Sequence, residues 1–333
     1  MKSVTFNPST NQFEYHATTA ATPPLQANDV LVEVEACALN PVDAKIIDWK
    51  GMVGTEMNAH WVVGLDVCGR IKALGAAVKG WKVGDRVLYH GNMFRPHGGL
   101  ASLAVHDADT LLSVADEIQA HIAAAMPCAG WTAWRALVDK LKVNAQDRLL
   151  VIGGSGGVGS FAVQIAKNVL QCPQVIAVCS TSNIAFVKSL GADVVIDYRK
   201  EDILERVKAL TDGEGVTKAF DTIGGDNDVV AANALAFDGE MLELVDVVRP
   251  QDYDQPFQRG MSFHQLALGA GHGFGDRGKA SIITAGQGFM AAYMRGQIRL
   301  PQVKVIPLSV APLHLQAFHD KKTVGKVVVD MKL

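Results

Sequence analysis

The stretch Leu149-Leu-Val-Ile-Gly-Gly-Ser-Gly-Gly-Val-Gly-Ser160 decides the architecture. Four apolar residues run straight into a glycine turn, and the turn runs into a helical pattern in which Val158, Ala162, Ile165, Ala166 and Val169 keep one face. Gly154, Gly156 and Gly159 satisfy G-x-G-x-x-G between that strand and that helix, the context that gives the spacing its meaning. The first glycine is expected to allow the tight turn, the second to let backbone approach a pyrophosphate, and the third to let helix pack on strand. Phosphates would then sit at the positive end of a helix starting near Val158, with Ser155, Gly157 and Val158 around them. A purely structural glycine turn is the alternative.

Working outward, further apolar runs at 175–178, 194–196, 218–220 and 241–248 alternate with helical patterns. Ile203, Leu204, Val207 and Leu210 keep one face after Glu201-Asp202, and Ile184, Val187 and Leu190 do so before Gly191. That alternation predicts an α/β fold with a doubly wound parallel sheet over 124–296. From Val30 to about Ala115 the rhythm is different: short β-branched runs between turns such as Lys82-Val-Gly-Asp85 predict a small antiparallel β domain over 1–123. After Gly296 short β segments return, ending in Lys326-Val-Val-Val-Asp330, so 297–333 is expected to rejoin the first domain and leave a cleft between the two.

Composition excludes several classes. Of 333 residues 49% are hydrophobic and 20% charged, enough apolar material for sizeable cores and too much for a disordered chain. The 31 basic and 34 acidic side chains sum to -3 without a long block of either sign, so neither nucleic acid nor an anionic membrane is indicated. Five cysteines, none in C-x-x-C spacing, read as reduced thiols of the cytoplasm, and residues 1–20 lack the apolar core of a signal peptide. The longest uncharged stretch, 149–166, is too glycine-rich to be a membrane span.

Cofactor choice is read about 20 residues beyond the glycine motif, where a carboxylate would accept the ribose 2'-hydroxyl of NAD. Cys179-Ser-Thr-Ser-Asn183 offers small neutral groups instead. Ser180, Thr181 and Asn183 would tolerate a 2'-phosphate and donate to it, which favours NADPH, although the same residues also suit a helix cap.

The set Asn40-Pro-Val-Asp43, Val63-Gly-Leu-Asp-Val-Cys-Gly69, Val83-Gly-Asp-Arg-Val87, Thr132-Ala-Trp134, 154–166, Leu190-Gly-Ala-Asp193 and Gly325-Lys-Val-Val-Val329 resembles the medium-chain dehydrogenase/reductase superfamily, and within it the zinc-independent quinone oxidoreductase branch. The resemblance implies a GroES-like catalytic domain, a Rossmann domain, and a homodimer pairing strands at 262–269. A zinc alcohol dehydrogenase needs a thiolate/imidazole site with an open position. Here the first cysteine is replaced by Asn40, the G-H-E histidine by Leu65 and its glutamate by Asp66, leaving only Cys128. The chemistry implied is therefore metal-free hydride transfer from NADPH to a quinone or other conjugated carbonyl, with an enone or alkenal double-bond reductase as the close alternative. A cofactor-binding sensor or a crystallin-like RNA-binding protein is the rival from another class.

By the same resemblance Asn40 lies near the nicotinamide and the acceptor carbonyl, with Lys45 either donating to that carbonyl or simply solvated. Thr132 serves the nicotinamide-side ribose or starts a helix, Tyr198 packs by the 2'-phosphate, and Lys321 supplies a cation there. Asp43 reads as a loop anchor, Trp131 and Trp134 as packing residues, and His272 as a surface histidine of a glycine-dense loop.

Overall fold

The computed structural model describes residues 1–18, 24–53, 57–58, 60–320 and 325–333. The chain divides into two units, 1–129 with 269–287 and 300–333, and 130–268 with 288–299. The first unit opens with β1 (Ser3–Asn7), β2 (Gln12–His16) and the long β3 (Asp29–Leu39), then two single-turn helices, α1 (Pro41–Ala44) and α2 (Ile46–Trp49). There follow β4 (Trp61–Val62), β5 (Asp66–Leu74), β6 (Arg86–His90), β7 (Leu103–Asp107), β8 (Leu112–Ser113) and the short α3 (Ala120–Ala124). β1 pairs with both β2 and β4.

In the second unit α4 (Thr132–Trp134) precedes β9 (Arg148–Ile152), α5 (Gly157–Gln164), β10 (Gln174–Cys179), α6 (Ile184–Ser189), β11 (Val194–Asp197), α7 (Ile203–Leu210), β12 (Val216–Asp221), α8 (Asn227–Asn233), β13 (Leu235–Glu243) and β14 (Ser262–Gln265). The strands form one sheet in the order β11-β10-β9-β12-β13-β14, with every pair parallel. A parallel sheet covered on both faces needs continuous apolar strands, and Leu149, Leu150, Val151 and Ile152 are all buried. Helices begin where a polar side chain can take the first amides: Asp202 accepts from Glu205 N–H at 2.9 Å ahead of α7. They stop where glycine can turn left-handed, as Gly191 does with φ 108° after α6. The strand expected over 241–248 instead spans Leu235–Glu243, because Glu243 Oε1 accepts from the amides of Val245 (2.7 Å) and Asp246 (2.9 Å) and turns the chain out of extension.

After α9 (Gly275–Met294) the chain forms β15 (Val303–Pro307), α10 (Ala311–His319) and β16 (Lys326–Asp330) in the first unit. α10 was not expected from the β-like pattern after Gly296; Pro312 in its first turn and the buried Ala311 and Leu315 explain it. The main sheet of this unit runs β15-β16-β3-β5-β6-β8, with β7 on the other side of β3. Registers there matter for chemistry. Val327 pairs with Leu39, Ala38 with Asp66, and Asp66 with His90, so β16, β5 and β6 bring Lys326, Asp66 and His90 to one place near the end of β3, where Asn40 follows.

Candidate active site

In the second unit, the glycine turn is built as a cradle. The left-handed conformation that only glycine adopts easily falls on Gly153 (φ 84°), one residue earlier than the expected Gly154. Gly154 is required for space instead, since a Cβ there would lie 2.9 Å from the Ala177 side chain. A Cβ on Gly159 would come within 2.2 Å of the Gly153 carbonyl oxygen, so the third glycine does permit the helix to pack on the turn. Gly156 differs: a Cβ would meet only that same oxygen, at 3.3 Å, so the protein's own packing barely demands glycine there. Gly156 and Gly157 are exposed, and Gly156 is the residue before α5, whose first-turn amides lack intrahelical acceptors. The Gly156 N–H already donates to the Gly153 carbonyl at 2.9 Å, so an anion approaching the turn would meet the N–H groups of Ser155, Gly157 and Val158 together with the helix dipole.

Beside this turn, Asn183 Nδ2 donates to Ser155 Oγ and to Ser180 Oγ, both at 3.2 Å. Thr181 donates from Oγ1 to Asp197 Oδ2 at 2.6 Å. Ser155, Ser180, Thr181 and Asn183 are thus brought together at the ends of β9 and β10. Asp197 escaped the sequence reading because it is distant in sequence from the 179–183 segment and comes next to it only through the Cys179–Asp197 pairing of adjacent strands. It is buried, and the Thr181 hydroxyl and then the Arg199 amide hold its carboxyl below the usual range. Its oxygens are therefore engaged within the protein. Exposed Tyr198 follows, with the Arg199 guanidinium 5.8 Å from its ring centroid and Lys200 also at the surface. Arg199 and Lys200 are cations that the sequence reading did not consider; Lys321, which it did, lies outside the described residues. Thr132 is buried in α4, and Trp131 beside it is wholly buried with no hydrogen-bond partner for Nε1 among the described residues.

Further along the same sheet, Asp221 and Glu243 end the neighbouring strands β12 and β13 directly opposite each other, both buried. Burial first, and a hydrogen bond to Glu243 second, push the Asp221 carboxyl up to about 8. Asp221 Oδ1 accepts from Ile223 N–H at 2.8 Å, so each carboxyl also shapes the loop that follows its strand.

The first unit holds a separate buried polar centre. Asp66 is completely enclosed, and four groups converge on its carboxylate. Oδ1 meets His90 Nδ1 at 3.0 Å and accepts from Cys128 N–H at 2.9 Å; Oδ2 accepts from Asn40 Nδ2 at 2.9 Å and Lys326 Nζ at 3.4 Å. Lys326 Nζ also donates to Asn40 Oδ1 at 2.5 Å. The Asn40 amide is thereby fixed, its oxygen on the ammonium and one N–H on the carboxylate, which leaves one N–H to spend. Lys326 is the central residue that sequence reasoning missed. Nothing in Lys326-Val-Val-Val-Asp330 marks a lysine as buried until strand pairing sets it beside Asn40. Lys45 is half-buried at the joint of α1 and α2 and makes no ion pair among the described residues.

His272 does not behave as a surface histidine. Its Nε2 lies 2.9 Å from the His90 carbonyl oxygen, its ring sits edge-on to His106, and burial pushes it down to about 4, so the ring is neutral and donates.

The Asp66 carboxylate, His90 and Cys128 offer ligand atoms within 4.8 Å of one another, which invites comparison with a metal site. The donor set fits a metal poorly. All four acceptor directions of the carboxylate are filled, a lysine ammonium stands against it, Leu65 has no donor atom, and burial holds Cys128 as a thiol.

A parallel sheet whose first strand runs into a glycine turn and a helix, in a chain that also carries an antiparallel β unit, is the arrangement of nicotinamide-dependent oxidoreductases. The comparisons agree. A family model described as an alcohol dehydrogenase GroES-like domain matches 26–116, and one described as zinc-binding dehydrogenase matches 157–244. The chain is 32% identical over 324 residues, 93% of its length and 84% of the other's, to a chloroplast envelope quinone oxidoreductase homolog of Arabidopsis thaliana. It is 35% identical over 238 residues, 69% of its length and 58% of the other's, to a chloroplastic NADPH-dependent alkenal/one oxidoreductase of the same plant. A mycobacterial structure solved with NADPH covers 99% of both chains at TM-score 0.82 and 26% identity. The fold is shared too with a Pseudomonas syringae quinone oxidoreductase, TM-score 0.84 over 99% of both chains at 24% identity. This chain belongs to the medium-chain dehydrogenase/reductase superfamily, in its quinone oxidoreductase-like branch, and is an oxidoreductase.

Proposed function

We propose that this protein transfers a hydride from NADPH to a conjugated carbonyl acceptor, a quinone or an enone, without a metal ion. The observation that carries the metal-free part is the Lys326 ammonium held between Asn40 and Asp66. A fixed positive charge already serves the carboxylate that a metal would have to claim. NADPH, when bound, supplies the hydride. The protein's work is then to bind, orient and exclude water. In this reading the cradle 154–159 takes the pyrophosphate, and Ser180, Thr181, Asn183 and Tyr198 surround the 2'-phosphate with Arg199 and Lys200 as its cations. Thr132 contacts the nicotinamide ribose. Asn40 offers its remaining N–H to the acceptor oxygen, and Lys45 stands by as a second donor.

Preference for NADPH is supported by Asp197: a carboxylate engaged by Thr181 is not free to take a ribose 2'-hydroxyl. The enone reading draws on the alkenal/one oxidoreductase relative. A homodimer through β14 is consistent with that strand's place at the sheet edge, and five unpaired cysteines suit a reducing compartment such as the cytoplasm. Among the described residues no helix is long and apolar enough to cross a membrane.

The test is oxidation of NADPH and of NADH, followed by absorbance, against benzoquinones, naphthoquinones, 2-alkenals and enones with and without EDTA. Turnover should favour NADPH and ignore the chelator. Loss of activity in EDTA would overturn the metal-free assignment, and no turnover of any acceptor would overturn the reading as a whole.

A further inference from the structure

Within the second unit, Asp221 and Glu243 are register partners on β12 and β13, and they are 0% and 1% exposed. Their oxygens are unequally used. Asp221 accepts from the amides of Ile223 and Gly224, and Glu243 Oε1 from those of Val245 and Asp246, while Glu243 Oε2 is buried with no donor among the described residues. Two bare carboxylates side by side in so dry a place are prohibitively costly, so one proton has to lie between them, donated from Asp221 toward that unfilled oxygen.

The groups packed around the pair do not relieve it. On the flanking strands the partners are Ile152 and Gln265, both neutral. Lys218 and Glu240, three residues earlier on β12 and β13, point to the opposite face. α8 packs on both strands and contributes Asp228, whose carboxylate is already taken by Arg249 and Tyr253. Arg249 is shared with Asp226 as well, and the loop after β13 adds a third carboxylate, Asp246.

The loops that these carboxyls shape bear on the glycine turn. Thr222, the residue after Asp221, donates from Oγ1 to the Ile152 carbonyl at 2.8 Å. A Cβ on Gly153 would come within 2.5 Å of Thr222 Oγ1 and 2.6 Å of the Ile223 side chain, so residues 222–223 pack directly on Gly153. The Gly153 carbonyl in turn accepts from Gly156 N–H at 2.9 Å and so holds the turn's shape. The two loops are also tied to each other, by Gly225 N–H on Asp246 Oδ2 at 2.8 Å.

We propose that the proton between Asp221 and Glu243 is a latch on dinucleotide affinity: with it the turn after β12 stays seated on Gly153, and without it the carboxylates repel, the seat is lost and the glycine turn holds a pyrophosphate less tightly. The inference rests on the reading of 154–159 as the NADPH cradle and adds its regulation by pH. Burial first, and Glu243 second, push Asp221 up to about 8, which sets where the latch opens. NADPH affinity is therefore full below about pH 7 and falls as pH rises through about 8.

The experiment titrates the full chain with NADPH, followed by fluorescence of the reduced nicotinamide, between about pH 7.5 and about pH 9.5, where the 2'-phosphate is already ionised. Kd should rise roughly twenty-fold as the acid fraction of a group near 8 falls. Calorimetry at about pH 8.5, in buffers of different ionisation enthalpy, should show binding taking up about 0.7 of a proton. Glu243→Gln, whose amide oxygen can accept from Val245 and Asp246 and whose N–H can donate to Asp221, should lose both effects. A wild-type Kd independent of pH, or binding without proton uptake, would overturn the latch even if the variant fails to fold, and so would a pH dependence that survives in folded Glu243→Gln. Failure of NADPH to bind at any pH brings down the dinucleotide reading and the latch with it, whereas binding at constant Kd brings down the latch alone.

Discussion

A single residue, Lys326, carries much of the first unit's electrostatics. It is 6% exposed and faces a fully buried carboxylate, so the pair's worth lies less in net stability than in what remains if one partner goes. Lys326→Met keeps the length and removes the charge, leaving Asp66 with only His90, the Cys128 amide and the Asn40 amide. The expected loss is about 3–5 kcal/mol in urea unfolding. Activity should fall as well, because the Asn40 carbonyl loses its anchor and the amide can turn. A loss under about 1 kcal/mol would show that the ammonium is not needed to compensate the carboxylate.

At the scale of an element, the turn between β9 and α5 separates two jobs that the G-x-G-x-x-G spacing lumps together. Gly159 serves the fold, whereas packing leaves Gly156 for the proposed ligand, a distinction visible only in what an added Cβ would touch. Gly159→Ala forces a Cβ onto the Gly153 carbonyl, and overpacking of that kind costs roughly 1–3 kcal/mol. It should lower the melting temperature before any question of binding arises. Gly156→Val should leave the melting temperature within a few degrees of wild type while abolishing NADPH binding, read by fluorescence of the reduced nicotinamide. If Gly156→Val unfolds the protein, or keeps wild-type NADPH affinity, the division of labour is wrong.

For the whole molecule, the Asp221–Glu243 pair predicts how stability follows pH. The folded protein holds a proton on Asp221 up to about pH 8, whereas the unfolded chain releases it near pH 4. Across that window the folded state binds more protons than the unfolded one, so this group's contribution to stability is full below pH 4 and declines as pH rises toward 8. Glu243→Gln removes the facing charge while keeping an acceptor for the Val245 and Asp246 amides. The variant should therefore show a shallower decline than wild type between about pH 5 and pH 8 in denaturant titrations, and an unchanged slope would show that Glu243 has no part in raising Asp221. The same pair also shows why part of the site was illegible in sequence. Asp221 and Glu243 are 22 positions apart, as are no residues of any local motif, and only parallel strand pairing sets them side by side.

Local pattern sufficed wherever the physics is local. An apolar run must be a buried strand, a glycine cluster after it must be a turn, and an amphipathic period after that must be a helix, so the α/β sheet and its glycine turn could be read from 149–166 and the alternation beyond it. The shift of the left-handed residue from Gly154 to Gly153 and the unforeseen α10 are small misses of the same local kind. What pairing across long sequence separations decides is a different matter. Asp66, His90 and Lys326 come from three strands and Asn40 from the residue that follows β3, and a slip of one residue in any of those strand registers would point a side chain to the opposite face. Sequence alone therefore determined that this chain has a glycine turn leading from strand to helix on a doubly wound sheet. Only the folded structure decided that a lysine ammonium holds the polar centre, because burial and strand register, which set it, are properties of the assembled sheet and not of any segment.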